Sequence, residues 1–152
     1  KEDIVGEIRE RINNKIPLAS EIPQFMQDHF KDPLWKKEAE KCVACGSCTL
    51  VCPTCFCYNV DDVTRFNLKE GERVRIWDSC QLLEYASVAE GENFRKDKTA
   101  RLKNRIYHKL ANWPQQFNTL GCIGCGRCIH YCIANIDMTE IISQLKGENA
   151  HA

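Results

Sequence analysis

Cys42-Val43-Ala44-Cys45-Gly46-Ser47-Cys48-Thr49-Leu50-Val51-Cys52 decides the fold of this chain, and its spacing returns at Cys122-Ile123-Gly124-Cys125-Gly126-Arg127-Cys128-Ile129-His130-Tyr131-Cys132. Three thiolates on a short loop, with a fourth one helical turn beyond, is the spacing that holds a cubane [4Fe–4S] cluster. Each iron takes a thiolate as its terminal ligand, because sulfur is soft enough to hold both oxidation states. Gly46 and Gly126 follow the second cysteine of each run, where a side chain would crowd the inorganic sulfides and where a positive φ is needed. Free backbone N–H groups in such loops, and Arg127 beside the second, would tune the potentials. In proteins with two such clusters the fourth cysteine of one run serves the cluster of the other. The expected sites are therefore Cys42, Cys45, Cys48 and Cys132 for one cluster, and Cys52, Cys122, Cys125 and Cys128 for the second. Because each cluster then staples the two halves together, the metal-free chain is expected to be poorly folded.

Other uses of cysteine fit less well. Three cysteines in one tight loop are badly placed for disulfides, and no signal peptide is read in the sequence. Zinc sites usually read as two separated C-x2-C pairs without the regular third and fourth cysteine.

The 152 residues carry 21 basic and 21 acidic side chains, so the formal net charge is zero. Electrostatics therefore gives no case for nucleic acid or an anionic membrane surface as partner. No apolar stretch approaches membrane-spanning length. Eleven cysteines without a secretion signal point to a reducing, anaerobic cytoplasm.

Residues 1–40 read as an N-terminal helical arm of a larger protein, and 41–147 as the dicluster domain. In the arm, Val5, Ile8, Ile12 and Ile16 share one face of a helix over 5–16 that Pro17 closes, expected to pack on the cluster domain. A second helical stretch over 22–41 is interrupted at Pro33. The runs are separated by residues 53–121, 69 in all. In that insert, Val74 and Ile76 alternate with Arg73, Arg75 and Trp77, predicting a strand that pairs with residues near 56–60 as a small hairpin. Residues 80–90 and 97–112 read as helices. The second places Leu102, Ile106 and Leu110 on a buried stripe, with Arg101, Lys103, Arg105 and Lys109 on the remaining, solvated faces and Pro114 as its stop. Past Cys132, Asp137 and Glu140 form a capping-box pattern ahead of Ile141, Ile142 and Leu145, with Gly147 as terminator. The fold class is mainly α, of the α-helical ferredoxin kind, with a small β-hairpin in the insert.

Cys55, Cys57 and Cys80 stand outside the two quartets. They suit an additional metal, redox or catalytic site, or a ligand exchange in which Cys55 replaces Cys52. They equally suit small buried apolar side chains, since free cysteine is often buried. His108 is the residue that would complete such a site, although a histidine amid Arg and Lys is more often solvated.

The string from Cys42 to Cys57, then Trp77-Asp78-Ser79-Cys80, Asn93-Phe94-Arg95, Arg101-Leu102 with Arg105 and His108-Lys109, and Gly121 to Cys128, together resemble the dicluster domain of the sulfhydrogenase beta subunit and of the A subunit of anaerobic sulfite reductase. The resemblance covers residues 40–140, with the heterodisulfide reductase C subunit as a more distant relative. It implies an α-helical ferredoxin fold and two [4Fe–4S] clusters on the eight motif cysteines. It also implies a place between a flavoprotein subunit that meets NAD(P)H or ferredoxin and a hydrogenase or reductase catalytic subunit. Ile133 departs from the pattern, since a ferredoxin-type run has proline there.

The function expected is a non-catalytic electron-transfer subunit of a hydrogenase-like complex. An anaerobic sulfite reductase or heterodisulfide reductase-type subunit with a redox site at Cys55, Cys57 and Cys80 is the alternative. A module whose clusters only sense oxygen or hold the fold is a third reading. No nucleotide-binding glycine loop, Ser/His/Asp arrangement or haem-attachment motif is present in the sequence.

Overall fold

A computed structural model describes residues 2–11 and 20–147. The first helix, α1 (Glu2–Arg11), leaves Ile4, Val5 and Ile8 exposed. The expected packing of this helix on the cluster domain is therefore not observed, while Ile12, Ile16 and Pro17 lie outside the described residues. The helical stretch over 22–41 divides into α2 (Ile22–Asp28) and α3 (Leu34–Lys41). Pro33 sits at the N-terminal edge of α3, where its missing N–H has no helical partner to lose.

The insert holds a two-stranded antiparallel hairpin of β1 (Tyr58–Thr64) and β2 (Gly71–Trp77), with Tyr58 opposite Trp77 and Thr64 opposite Gly71. Arg73 clasps Asp62 through two bonds of 2.7 and 2.8 Å across the strands. The helix expected over 80–90 is absent. Two 3-10 turns, Glu84–Ala86 and Ala89–Gly91, occupy the segment. Leu82, Leu83 and Val88 are exposed there, so no apolar face is buried to reward a regular helix.

Helix α5 (Lys98–Tyr107) begins at Asp97, whose carboxylate accepts from the N–H of Ala100 at 3.2 Å. It runs into a π turn at His108–Asn112 and then α6 (Trp113–Phe117). Pro114 therefore does not end the helical path as expected; it falls in the first turn of α6, where a missing N–H is tolerated. The wider π turn coincides with three consecutive buried residues, Lys109, Leu110 and Ala111. Two single-turn helices, α4 (Ser47–Leu50) and α7 (Arg127–His130), lie within the cysteine runs. After the second run comes α8 (Met138–Leu145), capped by Asp137, which accepts from the N–H of Thr139 at 2.7 Å. Gly147 closes it with φ +75°.

The core joins Ile22 and Met26 of α2, Trp35 and Ala39 of α3, Leu102, Ile106, Tyr107 and Leu110 of the α5 path, and Met138, Ile141, Ile142 and Leu145 of α8. Each large apolar side chain buried this way contributes about 1.5–3 kcal/mol. Polar tips are satisfied locally: Trp35 Nε1 donates to the His29 carbonyl at 2.8 Å, and the Tyr107 hydroxyl donates to the Met26 carbonyl. Residues ahead of the first cysteine run thus share one core with the helix that separates the runs. No helix among the described residues is long and apolar enough to cross a membrane.

Candidate iron–sulfur centres

The two cysteine runs fold alike. Gly46 (φ +80°) and Gly126 (φ +71°) each precede a single helical turn, α4 and α7 respectively. Ala44 (φ +55°) and Gly124 (φ +68°) occupy matching left-handed positions. Their N–H groups donate to the first thiol of each run, Ala44 to Cys42 Sγ at 3.3 Å and Gly124 to Cys122 Sγ at 3.4 Å. The positive φ expected of Gly46 and Gly126 is therefore observed. At Gly46 there is a second constraint, because a Cβ would stand 3.0 Å from Ser79 Oγ.

α4 and α7 pack against one another, and the cysteines of both runs face two cavities. The first, of about 50 Å3, is lined by Cys42, Cys45, Cys48 and Cys132, with Cys128 at its wall. The second, of about 240 Å3, is lined by Cys52, Cys122, Cys125 and Cys128. Each cavity thus includes three cysteines from one run and the last cysteine of the other, and the first cavity takes Cys128 in addition. A third cavity, of about 170 Å3, is lined by Cys55, Cys57, Cys80, Tyr85 and His108.

The cationic stripe of α5 is where the sequence reading is overturned. Arg101, Arg105 and Lys109 are 6, 5 and 1% exposed, so they do not form the solvated face expected of them. Arg105 lines all three cavities. Its Nη2 donates to the Cys48 carbonyl at 2.9 Å, while Nε and Nη1 have no hydrogen-bond partner among the described residues. Burial opposes its charge, but its interactions with the sulfurs of Cys48, Cys55 and Cys128 outweigh that and hold its pKa above the usual arginine value. Lys109 Nζ donates to Thr54 O and Thr54 Oγ1, both at 2.8 Å, and Thr54 Oγ1 donates to the Gly121 carbonyl at 2.7 Å. One buried ammonium therefore joins the exit of the first run to the entry of the second. Gly121 is needed at that junction, since a Cβ would lie 3.1 Å from the Trp113 ring and 3.2 Å from Lys109 Cα.

The thiols divide electrostatically. Burial acts to raise Cys52, but the Thr54 hydroxyl and N–H and the Lys109 charge overcome it and bring the thiol down to about 7. Hydrogen bonding with Ser47 lowers Cys45. Burial pushes Cys48 and Cys128 up, and Cys55 up to about 11. Cys57 and Cys80 share a hydrogen bond that lowers the first and, with burial, raises the second. Burial, then the charges of Lys109 and Arg105, lower His108.

The Trp77-Asp78-Ser79-Cys80 segment is tied to the first run. Ser79 Oγ and Thr49 Oγ1 are 2.6 Å apart, and Thr49 Oγ1 donates to the Gly46 carbonyl at 2.7 Å. Among the described residues no three His, Cys, Asp or Glu side chains converge as a single metal ion would require. Four soft donors around a cavity, with unpartnered buried guanidinium N–H groups at its wall, instead suit a larger anionic group with acceptors of its own. Buried cations were the functional feature missed in the sequence. Their signal was available: Arg101, Arg105 and Lys109 recur every four residues, as Leu102, Ile106 and Leu110 do one position on.

Comparison with known proteins agrees with this chemistry. The chain is 42% identical over 118 residues to Sulfhydrogenase 2 subunit beta of Pyrococcus furiosus, an alignment covering 77% of this chain. It spans 34% of that relative's length. No solved structure matches the chain significantly. The family model for the 4Fe-4S dicluster domain matches residues 41–136, which contain all eleven cysteines. With that match over most of its length, the chain belongs to the 4Fe-4S dicluster domain family of iron–sulfur electron-transfer proteins.

Proposed function

We propose that this chain is the electron-relay part of a multisubunit anaerobic oxidoreductase, an α-helical ferredoxin-like module with two [4Fe–4S] clusters. Cys42, Cys45, Cys48 and Cys132 would hold one cluster, and Cys52, Cys122, Cys125 and Cys128 the other. The observation that carries this reading is the sharing of cysteines between runs around two adjacent cavities. The clusters supply one-electron storage at potentials set by their surroundings. The protein's own contribution is positioning and charge. Cys128 and Met138 line both cavities and so form the wall between them, and Arg105 presents one cation to both sides. Ala44 and Gly124 N–H groups point at sulfur, which favours the reduced form. Thr54, and after it the charge of Lys109, keep Cys52 in thiolate-ready surroundings.

Donor and acceptor would be a flavoprotein subunit linked to NAD(P)H or ferredoxin, and a hydrogenase-type catalytic subunit; the similarity to a sulfhydrogenase beta subunit supports that choice. Anaerobic co-purification with those subunits, followed by stopped-flow mixing with a low-potential reductant, tests it. Both clusters should reduce and then reoxidise at the rate of acceptor turnover. Turnover at an unchanged rate in a Cys45→Ser/Cys125→Ser protein that has lost cluster absorbance would refute the relay.

A further inference from the structure

We propose that Cys55, Cys57 and Cys80, completed by His108, hold a third cluster of the [4Fe–4S] type. The inference goes beyond the dicluster reading, which leaves these residues without a task. They come from two distant segments and reach one cavity through the hairpin. Tyr58 pairs with Trp77, and one step outward the Asp78 N–H donates to the Cys57 carbonyl at 3.0 Å, setting Cys57 beside the segment that ends in Cys80. The hairpin buries almost nothing: every residue of β1 is exposed. It adds little to the core, so its placement of these cysteines is its main structural consequence.

The cavity they line measures about 170 Å3, between the 50 and 240 Å3 of the two quartet sites. That is far more than one buried water needs, on the order of 10–15 Å3. Its wall carries Arg95, Arg105 and Lys109 and no carboxylate, so it favours an anionic occupant. Arg105 brings two unpartnered N–H-bearing atoms although it is almost fully buried. His108 is fixed there by edge contacts with Phe56 at 5.9 Å and Trp113 at 5.4 Å. Three thiols and an imidazole also make a zinc donor set. However, no three such side chains converge on a point among the described residues, and a roomy cationic cavity suits a polynuclear anionic group. Cys55 follows Cys52 by three residues, so this cluster would extend the relay past the site that Cys52 serves.

The test is iron and acid-labile sulfide counting on the chain reconstituted anaerobically with ferrous iron and sulfide. Three clusters give about twelve irons per polypeptide, and the Cys57→Ser/Cys80→Ser variant should retain about eight. His108→Ala should alter one electron-paramagnetic-resonance signal and leave two unchanged. About eight irons in the unaltered chain overturns the third cluster and leaves the dicluster reading standing, and this count needs no variant to fold. Zinc bound stoichiometrically and lost in Cys57→Ser/Cys80→Ser also overturns it. About four irons in the unaltered chain overturns both readings.

Discussion

Replacing Arg105 by methionine should lower the reduction potentials of the clusters on both sides of it. The side chain is 5% exposed, borders the two quartet cavities, and makes one hydrogen bond to protein, from Nη2 to the Cys48 carbonyl at 2.9 Å. Its remaining polar atoms, Nε and Nη1, have no partner among the described residues. Reduction adds negative charge, so a neighbouring cation favours it and its removal disfavours it. A unit charge about 5 Å away at an effective dielectric constant near 20 interacts by about 3 kcal/mol. For one electron that corresponds to about 130 mV, at 59 mV per tenfold change. Water entering the vacated space offsets part of this, leaving an expected fall on the order of 60–130 mV. Folding should suffer less: the orphaned Cys48 carbonyl costs about 1–3 kcal/mol, while two unpartnered buried N–H-bearing atoms are removed at the same time. Anaerobic redox titration followed by electron paramagnetic resonance reads both potentials, with iron content as the control for intact clusters. Arg105→Lys, which keeps the charge but loses the fork, should recover more than half of the shift. Potentials unchanged in Arg105→Met with full iron content would refute the electrostatic role assigned to this residue.

Gly126→Ala should destabilise the iron-loaded protein by about 1–2 kcal/mol through left-handed backbone strain alone, since nothing lies within 4 Å of where the added methyl group would sit. Gly46→Ala should cost more, because the same strain adds to a 3.0 Å approach to Ser79 Oγ; equal losses in anaerobic denaturation would contradict this account of the first loop. Lys109→Met removes two hydrogen bonds of 2.8 Å to Thr54 from a residue 1% exposed. It should lower stability by about 3 kcal/mol, and a change under 1 kcal/mol would show that the Lys109–Thr54–Gly121 link does not join the runs. Against the expectation from the crossed ligands that the metal-free chain is poorly folded, iron removal by a chelator should raise hydrogen exchange in residues 42–57 and 122–136 well before the helices α2, α3, α5 and α8. These loops touch the buried apolar core of those helices only through the partly buried Cys122 and Ile136. Simultaneous loss of protection everywhere would mean that the clusters, not this core, hold the fold.

Much of the candidate site was legible because ligand spacing is local information. The C-x2-C-x2-C-x3-C runs single out eight cysteines, which line two cavities, and the glycine after the second cysteine of each run announced its positive φ. The hairpin was readable from alternation at Arg73–Trp77, and the apolar stripe Leu102, Ile106 and Leu110 from its fourfold recurrence. The failures were non-local. Leu82, Leu83 and Val88 look helical by composition, yet no neighbour covers them, and 3-10 turns result. Arg101, Arg105 and Lys109 look solvated because charge usually is. Here carbonyl acceptors from distant segments, such as Cys48 and Thr54, make burial tolerable. The amphipathic pattern around Val5 and Ile8 gave a helix that the described residues show over Glu2–Arg11, and among the described residues nothing buries its apolar face.

The sharing of ligands between the two runs is tested most directly by comparing single cysteine variants by electron paramagnetic resonance. Cys132→Ser should alter the same cluster signal as Cys42→Ser, and Cys52→Ser the same signal as Cys122→Ser. If Cys132→Ser instead alters the signal that Cys122→Ser alters, each run holds its own cluster and the crossed arrangement is wrong.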